Sequence, residues 1–383
     1  MMLLFIILAT LPATLSAQVK VVRGQVVNAD TREGIPYVNI GIEGTYHGTA
    51  SNDEGFFELR IMASDIDKKL VFSAIGFQPE SFLARDVPAQ DNMLVALQEQ
   101  AYRIQGEVNV AAQSLVLFRV IRTAIGQVPQ RFMAGPWGAK LYYIEQTGIN
   151  GAKQNSREAI VELFDRTGYS APTVSDAFDS RNYRFIQARR NFEPWSYAAG
   201  QTGFEELLEM DHVRMSNGIM DATLLNDFTL SFAGMAPYEN DSVWVIAYTL
   251  EKPDLAHTGD FFATNLSGRI YILKSSNIPL RIECSVKASR NSWQNRALYT
   301  DSEHQSQVSY RYVVTYQPVN GKYLISFVEC SKTFVNPQGE KVSYARRANA
   351  LEFQPEPDAV TGRDYFEDVA YVEEFWKSFQ QPQ

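Results

Sequence analysis

Four histidines, two cysteines and a few acidic pairs are the side chains in this sequence with the types and spacing to do chemistry. The histidines are His47, His212, His257 and His304. A zinc hydrolase needs two histidines and a carboxylate around the metal, with one position left open. None of the four begins an HxxE or HExxH motif, so they are expected as surface or loop residues and no metal site is expected. No GxSxG elbow is present to present a serine nucleophile, and no GxGxxG or Walker-type loop is present to cradle phosphate. Glu205-Glu206, Asp364 with Glu367, and Glu373-Glu374 are the candidates for a two-carboxylate glycosidase pair, and their spacing equally fits solvated helix faces. Asn52-Asp53-Glu54-Gly55 looks like a calcium loop but lacks the EF-hand spacing and its closing Glu, so a β-turn is expected. The expectation is a chain with no catalytic residues, no metal and no cofactor.

Cys284 and Cys330 both fall in predicted strands without an activating neighbour. In an exported protein they form one disulfide if their strands are adjacent, and two buried thiols otherwise. No CxxC and no Cys/His cluster occurs, which excludes a structural zinc site. A possible apolar ligand cleft combines Phe118 and Ile121 of a helix with Leu280, Ile282 and Val286 of a strand. A curved sheet under one helix can enclose such a pocket, and the same side chains can equally fill a core.

The elements that would position these groups are mostly strands. Aromatic residues make up 12% of the chain, which suits strands that favour large flat side chains. In Leu280–Lys287, Leu280, Ile282, Cys284 and Val286 face one way, and Arg281, Glu283, Ser285 and Lys287 the other, the pattern of a strand with one buried face. Asn320-Gly321 between Tyr310–Tyr316 and Tyr323–Phe334 is a hairpin signal, and Ser275-Ser276-Asn277 joins another pair. Further strands are expected at Lys140–Gln146, Ala159–Phe164, Tyr183–Ala188, Val243–Leu250, Arg269–Leu273 and Val342–Ala345. Ser114–Val128 carries apolar residues at three- and four-residue steps and is expected to be a helix. Glu205–Asp211 is a short helix candidate, and Asp364–Phe379 a terminal one.

Net charge is −9 and no Lys/Arg stripe occurs, so nucleic acid is not an expected partner. Met1–Ala17 has the apolar run of a secretory signal peptide, and later segments are too short in apolar sequence to cross a membrane as helices. The expected location is the periplasm or cell envelope, with outer-membrane association possible without a transmembrane segment.

The most specific pattern lies at Gly24–Phe77. Short apolar strands alternate with turns at Asp30, Gly34, Pro36, Gly44, Gly48, Asn52-Asp53-Glu54-Gly55 and Gly76. The segment Gly48-Thr49, the acidic turn with Phe56, and Ser73-Ala74-Ile75-Gly76-Phe77 resemble the carboxypeptidase-regulatory-like, or prealbumin-like, domain of Bacteroidetes cell-envelope proteins. That resemblance implies an accessory β-sandwich that is not itself catalytic. The chain is therefore expected to be mainly β. Residues 1–17 are a signal peptide, 19–97 an Ig/prealbumin-like sandwich and 98–113 a linker. Residues 114–357 form a half-barrel-like antiparallel domain with a covering helix, and 358–383 a C-terminal helix and tail. The expected function is a non-enzymatic binding or interaction module for an unidentified envelope protein or apolar small molecule. A periplasmic carrier of a lipid or other apolar ligand is the alternative, and a hydrolase with an unrecognised site the second.

Overall fold

The computed structural model describes residues 20–36, 38–43, 45, 47–52, 54–88, 92–99, 110–170, 181–190, 203–289, 308–336, 338–354, 356–361, 369 and 371–379. The N-terminal unit is a sandwich of two small sheets. One sheet has β1 (Lys20–Asn28) between β4 (Phe56–Ile61) and β7 (Met93–Leu97), antiparallel to β4 and parallel to β7. The other runs β3 (Gly48–Ala50), β2 (Asn39–Ile42), β5 (Lys69–Ser73), β6 (Glu80–Leu83). Val22, Val26, Ile40, Phe57, Leu70 and Phe72 fill the space between them. Gly55 sits at φ +84 against the backbone of β1 and of Gly34-Ile35, where an added Cβ would lie 2.3 Å from the Val26 oxygen, so the acidic turn requires glycine.

The second unit is one ten-stranded antiparallel sheet. Its first three strands are β8 (Trp137–Ile149), β9 (Ala152–Asp165) and β10 (Arg181–Arg190). The next four are β11 (Thr229–Tyr238), β12 (Asp241–Leu250), β13 (Ala263–Leu273) and β14 (Pro279–Ala288). The last three are β15 (Val308–Val319), β16 (Lys322–Val335) and β17 (Lys341–Gln354). The spatial order is β10-β9-β8-β17-β16-β15-β14-β13-β12-β11, with every pairing antiparallel. The chain thus leaves one edge at β10 and re-enters at the opposite edge at β11. The connection between them must cross a whole face of the sheet.

That crossing segment fills the inner face. It carries the short helices Phe204–Leu208 and His212–Met215 and the 3-10 turns Gly218–Met220 and Leu225–Asp227. Its Phe204, Leu207, Val213, Met220 and Leu225 belong to one apolar cluster with residues of all ten strands and with Leu117, Ile121 and Ala124 of the helix α1 (Val110–Arg131). Both edge strands, through Tyr183 and Leu230, contribute to this cluster, so the sheet wraps around its own connection.

Four buried charges pin the crossing segment in place. Asp165 at the end of β9 accepts from Arg181 Nε at 2.9 Å and from Arg214 Nε at 2.8 Å. Asp211 accepts from Arg181 Nη2 at 2.8 Å, from the Tyr169 hydroxyl at 2.8 Å and from the Tyr316 hydroxyl at 2.9 Å. Arg181 Nη1 also donates to the Leu208 carbonyl at 2.9 Å. The two carboxylates are 0% exposed, so the desolvation cost is large and each ion depends on its partners. Burial pushes the Asp165 carboxyl up, but Arg181 and Arg214 together outweigh it and hold the group below its usual range. The balance reverses at Glu145, where burial outweighs Arg157 (2.5 Å away) and Arg346 and leaves the carboxyl raised.

The sequence expectations meet the structure unevenly. Strands extend beyond the expected bounds, most of all β17, which runs to Gln354. β11 is not among the expected strands. α1 starts at Val110, four residues early, because Ala111 and Ala112 favour helix, and it continues past Pro129 to Arg131. The C-terminal helix spans only Glu373–Ser378, and residues 364–368 and 370 of the expected longer one lie outside the described residues, as do 1–17 and most of the linker.

The disulfide is not formed. Cys284 and Cys330 both register with Tyr312, one from each side, so β15 lies between their strands. Two strand spacings put them roughly 10 Å apart, beyond the ~7 Å that a disulfide bridges. Both thiols are buried, and burial pushes that of Cys284 up to about 12.

Two outcomes follow from this packing. A thiol reagent should label neither cysteine in the native protein and both after denaturation, with no intact-mass change on reduction. Replacing Asp165 by Asn should cost about 3–5 kcal/mol in denaturant unfolding by leaving two guanidiniums short of an anion. Because the folded Asp165 carboxyl is depressed, its contribution is present above the unfolded value near 3.9 and is lost as pH falls below it. The acid-unfolding midpoint of Asp165→Asn should therefore show a smaller proton uptake than that of the parent protein.

Candidate functional site: a cleft at the domain junction

The sandwich docks on the outer face of the large sheet. Ala50 of β3 is buried between Val313 of β15 and Phe327 of β16. The Gly76 amide donates to the Pro237 carbonyl of β11 at 2.9 Å. The C-terminal helix clamps the other side. Its Trp376 is buried with Tyr142, Ile144 and Ile160, and Arg60 of the sandwich donates to the Ser378 carbonyl at 3.1 Å. Arg189 stacks over the Trp376 ring at 4.5 Å and Arg60 over Phe379 at 5.1 Å.

Docking of two convex surfaces leaves a cleft with two lobes. The inner lobe, about 170 Å³, lies between Ile35, Ala50, Ile75 and Phe77 of the sandwich and Tyr271, Arg281 and Glu283 of the sheet. On that outer sheet face Arg281 Nε stands 2.8 Å from Glu283 Oε1, which also accepts from the Tyr271 hydroxyl at 3.1 Å. The outer lobe, about 400 Å³, is lined by Glu43, His47, Val71, Glu239, Asn240 and Gln317 among others. That volume falls within the roughly 300–1,000 Å³ of small-molecule sites. Asn39 and Ser73 line both lobes, and the buried Tyr238 hydroxyl hydrogen-bonds both, so this trio is the partition between them.

Among the described residues, His47 is the one histidine in the cleft. Its Nδ1 meets the buried Asp65 Oδ2 at 2.7 Å, and Lys68 Nζ donates to Asp65 Oδ1 at 2.8 Å. Burial pushes the Asp65 carboxyl up, and its bonds to Lys68 and His47 more than reverse that. Asp65 therefore acts as an anion that orients the ring. Among the described residues no hydrogen bond joins the His47 ring to a hydroxyl or thiol.

The other sequence-level candidates are scattered. His212 and His257 are buried, contrary to the surface or loop setting expected for them. His212 bonds Asn217 and stacks on Tyr312 at 4.9 Å, while burial pushes its imidazole down. His257 closes a capping box with Asp254 and meets Asp227 at 3.1 Å. His304 lies outside the described residues. Glu206 pairs with Arg346, and Glu373 with Lys377 at 2.7 Å, both as ordinary ion pairs. Asn52 Oδ1 accepts from the Glu54 and Phe56 amides at 3.0 and 2.8 Å, the local bonding of a β-turn.

The five apolar candidates do come together. Ile121, Leu280, Ile282 and Val286 are buried in the inner-face cluster, with Phe118 packed against it half-buried. The crossing segment is a member of the same cluster, and Leu280 also reaches the inner lobe of the junction cleft. Sequence reasoning missed Glu239, Asp65 and Tyr238. A turn signal at Glu239-Asn240 was present between two apolar runs, but Glu is not a residue that turns usually select.

Residues 22–110 match the family model of the CarboxypepD_reg-like domain, which covers the sandwich except the first two residues of β1 and reaches the start of α1. No curated protein matches the chain.

The docking contact is testable by one substitution. Ala50→Asp places an unpaired carboxylate between Val313 and Phe327, and should cost about 2–4 kcal/mol. Calorimetry should then resolve the sandwich from the sheet as two transitions.

Proposed function

We propose that this chain is an exported, non-catalytic binding protein of the cell envelope, in which the CarboxypepD_reg-like sandwich forms one wall of a ligand cleft. The observation that carries the reading is the two-lobed cleft where the sandwich meets the outer sheet face. The inner face offers less, because the chain's own crossing segment packs against it. Export rests on the apolar run of Met1–Ala17, which ends in the small residues Ser16 and Ala17, and the envelope setting on the resemblance of the Gly24–Phe77 pattern to the regulatory-like domain of Bacteroidetes envelope proteins.

A carrier of apolar ligands has weaker support. Phe118, Ile121, Leu280, Ile282 and Val286 would line its pocket, yet they share one cluster with Phe204, Leu207 and Met220. A hydrolase has the His47–Asp65 pair in its favour, since a base held by a buried carboxylate is a recurring arrangement. Its weakness is the missing nucleophile beside the ring among the described residues.

Native against denaturing mass spectrometry of protein purified from its own envelope tests these readings together. A polar small molecule released on denaturation, with residues 1–17 removed from the chain, is the expected result. A released lipid would favour the carrier. Turnover of an envelope peptide or glycan by the pure protein, abolished by His47→Ala, would overturn the non-catalytic reading.

A further inference from the structure

The outer lobe has a one-sided chemistry. Its ionisable lining residues are Glu43, His47 and Glu239, and no Lys or Arg lines it among the described residues. Asn39, Asn240 and Gln317 add amide groups. Asp65 accepts from Nδ1 of His47, so the neutral form of the ring presents Nε2 as an acceptor.

Glu239 is also out of place in backbone terms. It is the first residue of the two-residue turn between β11 and β12 and sits at φ +52. The two other two-residue hairpins of the sheet use Asn150-Gly151 and Asn320-Gly321, at φ +51 and +85 and at +50 and +76. Asn and Gly tolerate that left-handed conformation, whereas a longer side chain is strained in it. The chain thus holds a carboxylate in a strained position at the mouth of a cavity. Glu239 is exposed, and partial desolvation by the surrounding protein pushes its carboxyl up. No hydrogen bond or ion pair to that carboxylate offsets the loss among the described residues.

We propose that the outer lobe receives a primary amine, with Glu239 as its principal anion and Glu43 and the His47 ring as neighbouring acceptors. This rests on the cleft reading above and names the ligand class. A primary ammonium carries three N–H donors and no acceptor, which complements a wall of carboxylate, imidazole and amide acceptors. Its charge also supplies the counter-ion that Glu239 lacks. The strain at residue 239 then has a functional reason, as backbone outliers at binding sites commonly do.

The test compares three probes of one length, hexylamine, hexanol and hexanoate, titrated into the full chain and followed by backbone amide shifts. Hexylamine should move the amides of Gly41, Gly48, Val71 and Val319 and bind about tenfold more tightly than hexanol. Glu239→Asn should weaken hexylamine about tenfold without lowering the unfolding midpoint, because Asn suits the turn. Glu239→Gln keeps the side-chain length and should weaken it similarly. Hexanol or hexanoate binding as tightly as hexylamine would overturn the amine assignment while leaving the cleft a ligand site. Unchanged hexylamine affinity in both variants would overturn the role of Glu239. No shift at the cleft with any probe would overturn this inference and the cleft reading together.

Discussion

The paired ions Asp165–Arg181 and Asp211–Arg181, with Arg214 closing the group, are the constraint on which the large domain depends. They join the end of β9, the start of β10 and the crossing segment at one buried point. Tyr169 and Tyr316 complete the shell of donors around Asp211, and Tyr316 comes from the middle of the sheet. An apolar cluster alone would hold the crossing segment without specifying its place, because hydrophobic contact is non-directional. Buried charges are directional, and each misplacement strands an ion. Burial of the ions adds little or nothing to stability in itself, so the network is best understood as a device for position.

Fixing that segment decides what each face of the sheet can do. The inner face is occupied by the chain's own Phe204, Leu207, Val213 and Met220. The outer face is then left to receive the sandwich and the C-terminal helix. Contact is made at a few well-packed points: Ala50 against Val313 and Phe327, Gly76 on Pro237, and Arg60 on Ser378 and Phe379. Between those points two convex surfaces cannot close, and the lobes of the cleft remain. The polar trio Asn39, Ser73 and Tyr238 lies at their boundary, where a buried phenol needs partners from the other domain.

Much of the fold was legible in the residues. The sandwich was visible through its turn glycines and acidic turn, because a positive φ at Gly55 restricts the residue type so strongly. The hairpin at Asn320-Gly321 was legible for the same reason, and the alternation of Leu280–Lys287 reports a real division of faces. The hairpin at Glu239-Asn240 was not, since its residue types hide a conformation that Asn-Gly would have announced. His212 and His257 were misplaced because their partners, Asn217, Tyr312, Asp254 and Asp227, make burial tolerable, and two of those contacts, with Tyr312 and with Asp227, come from residues distant in the chain.

What the sequence determined by itself is local: the strand-rich composition, the face each strand residue takes, the turns that demand Asn or Gly, and the lack of a metallopeptidase, serine-elbow or nucleotide-loop motif. These follow from backbone sterics and side-chain period, which act within a few residues. What only the tertiary structure decided is which strands are neighbours and which face is filled. Cys284 and Cys330 share a face, but Tyr312 of an intervening strand separates them, and no local pattern reports strand order. The cleft is of the same kind. Glu43 and His47 are far from Glu239 and Gln317 in the chain, and they line one lobe because two folded surfaces meet there, a juxtaposition set by docking and not by spacing.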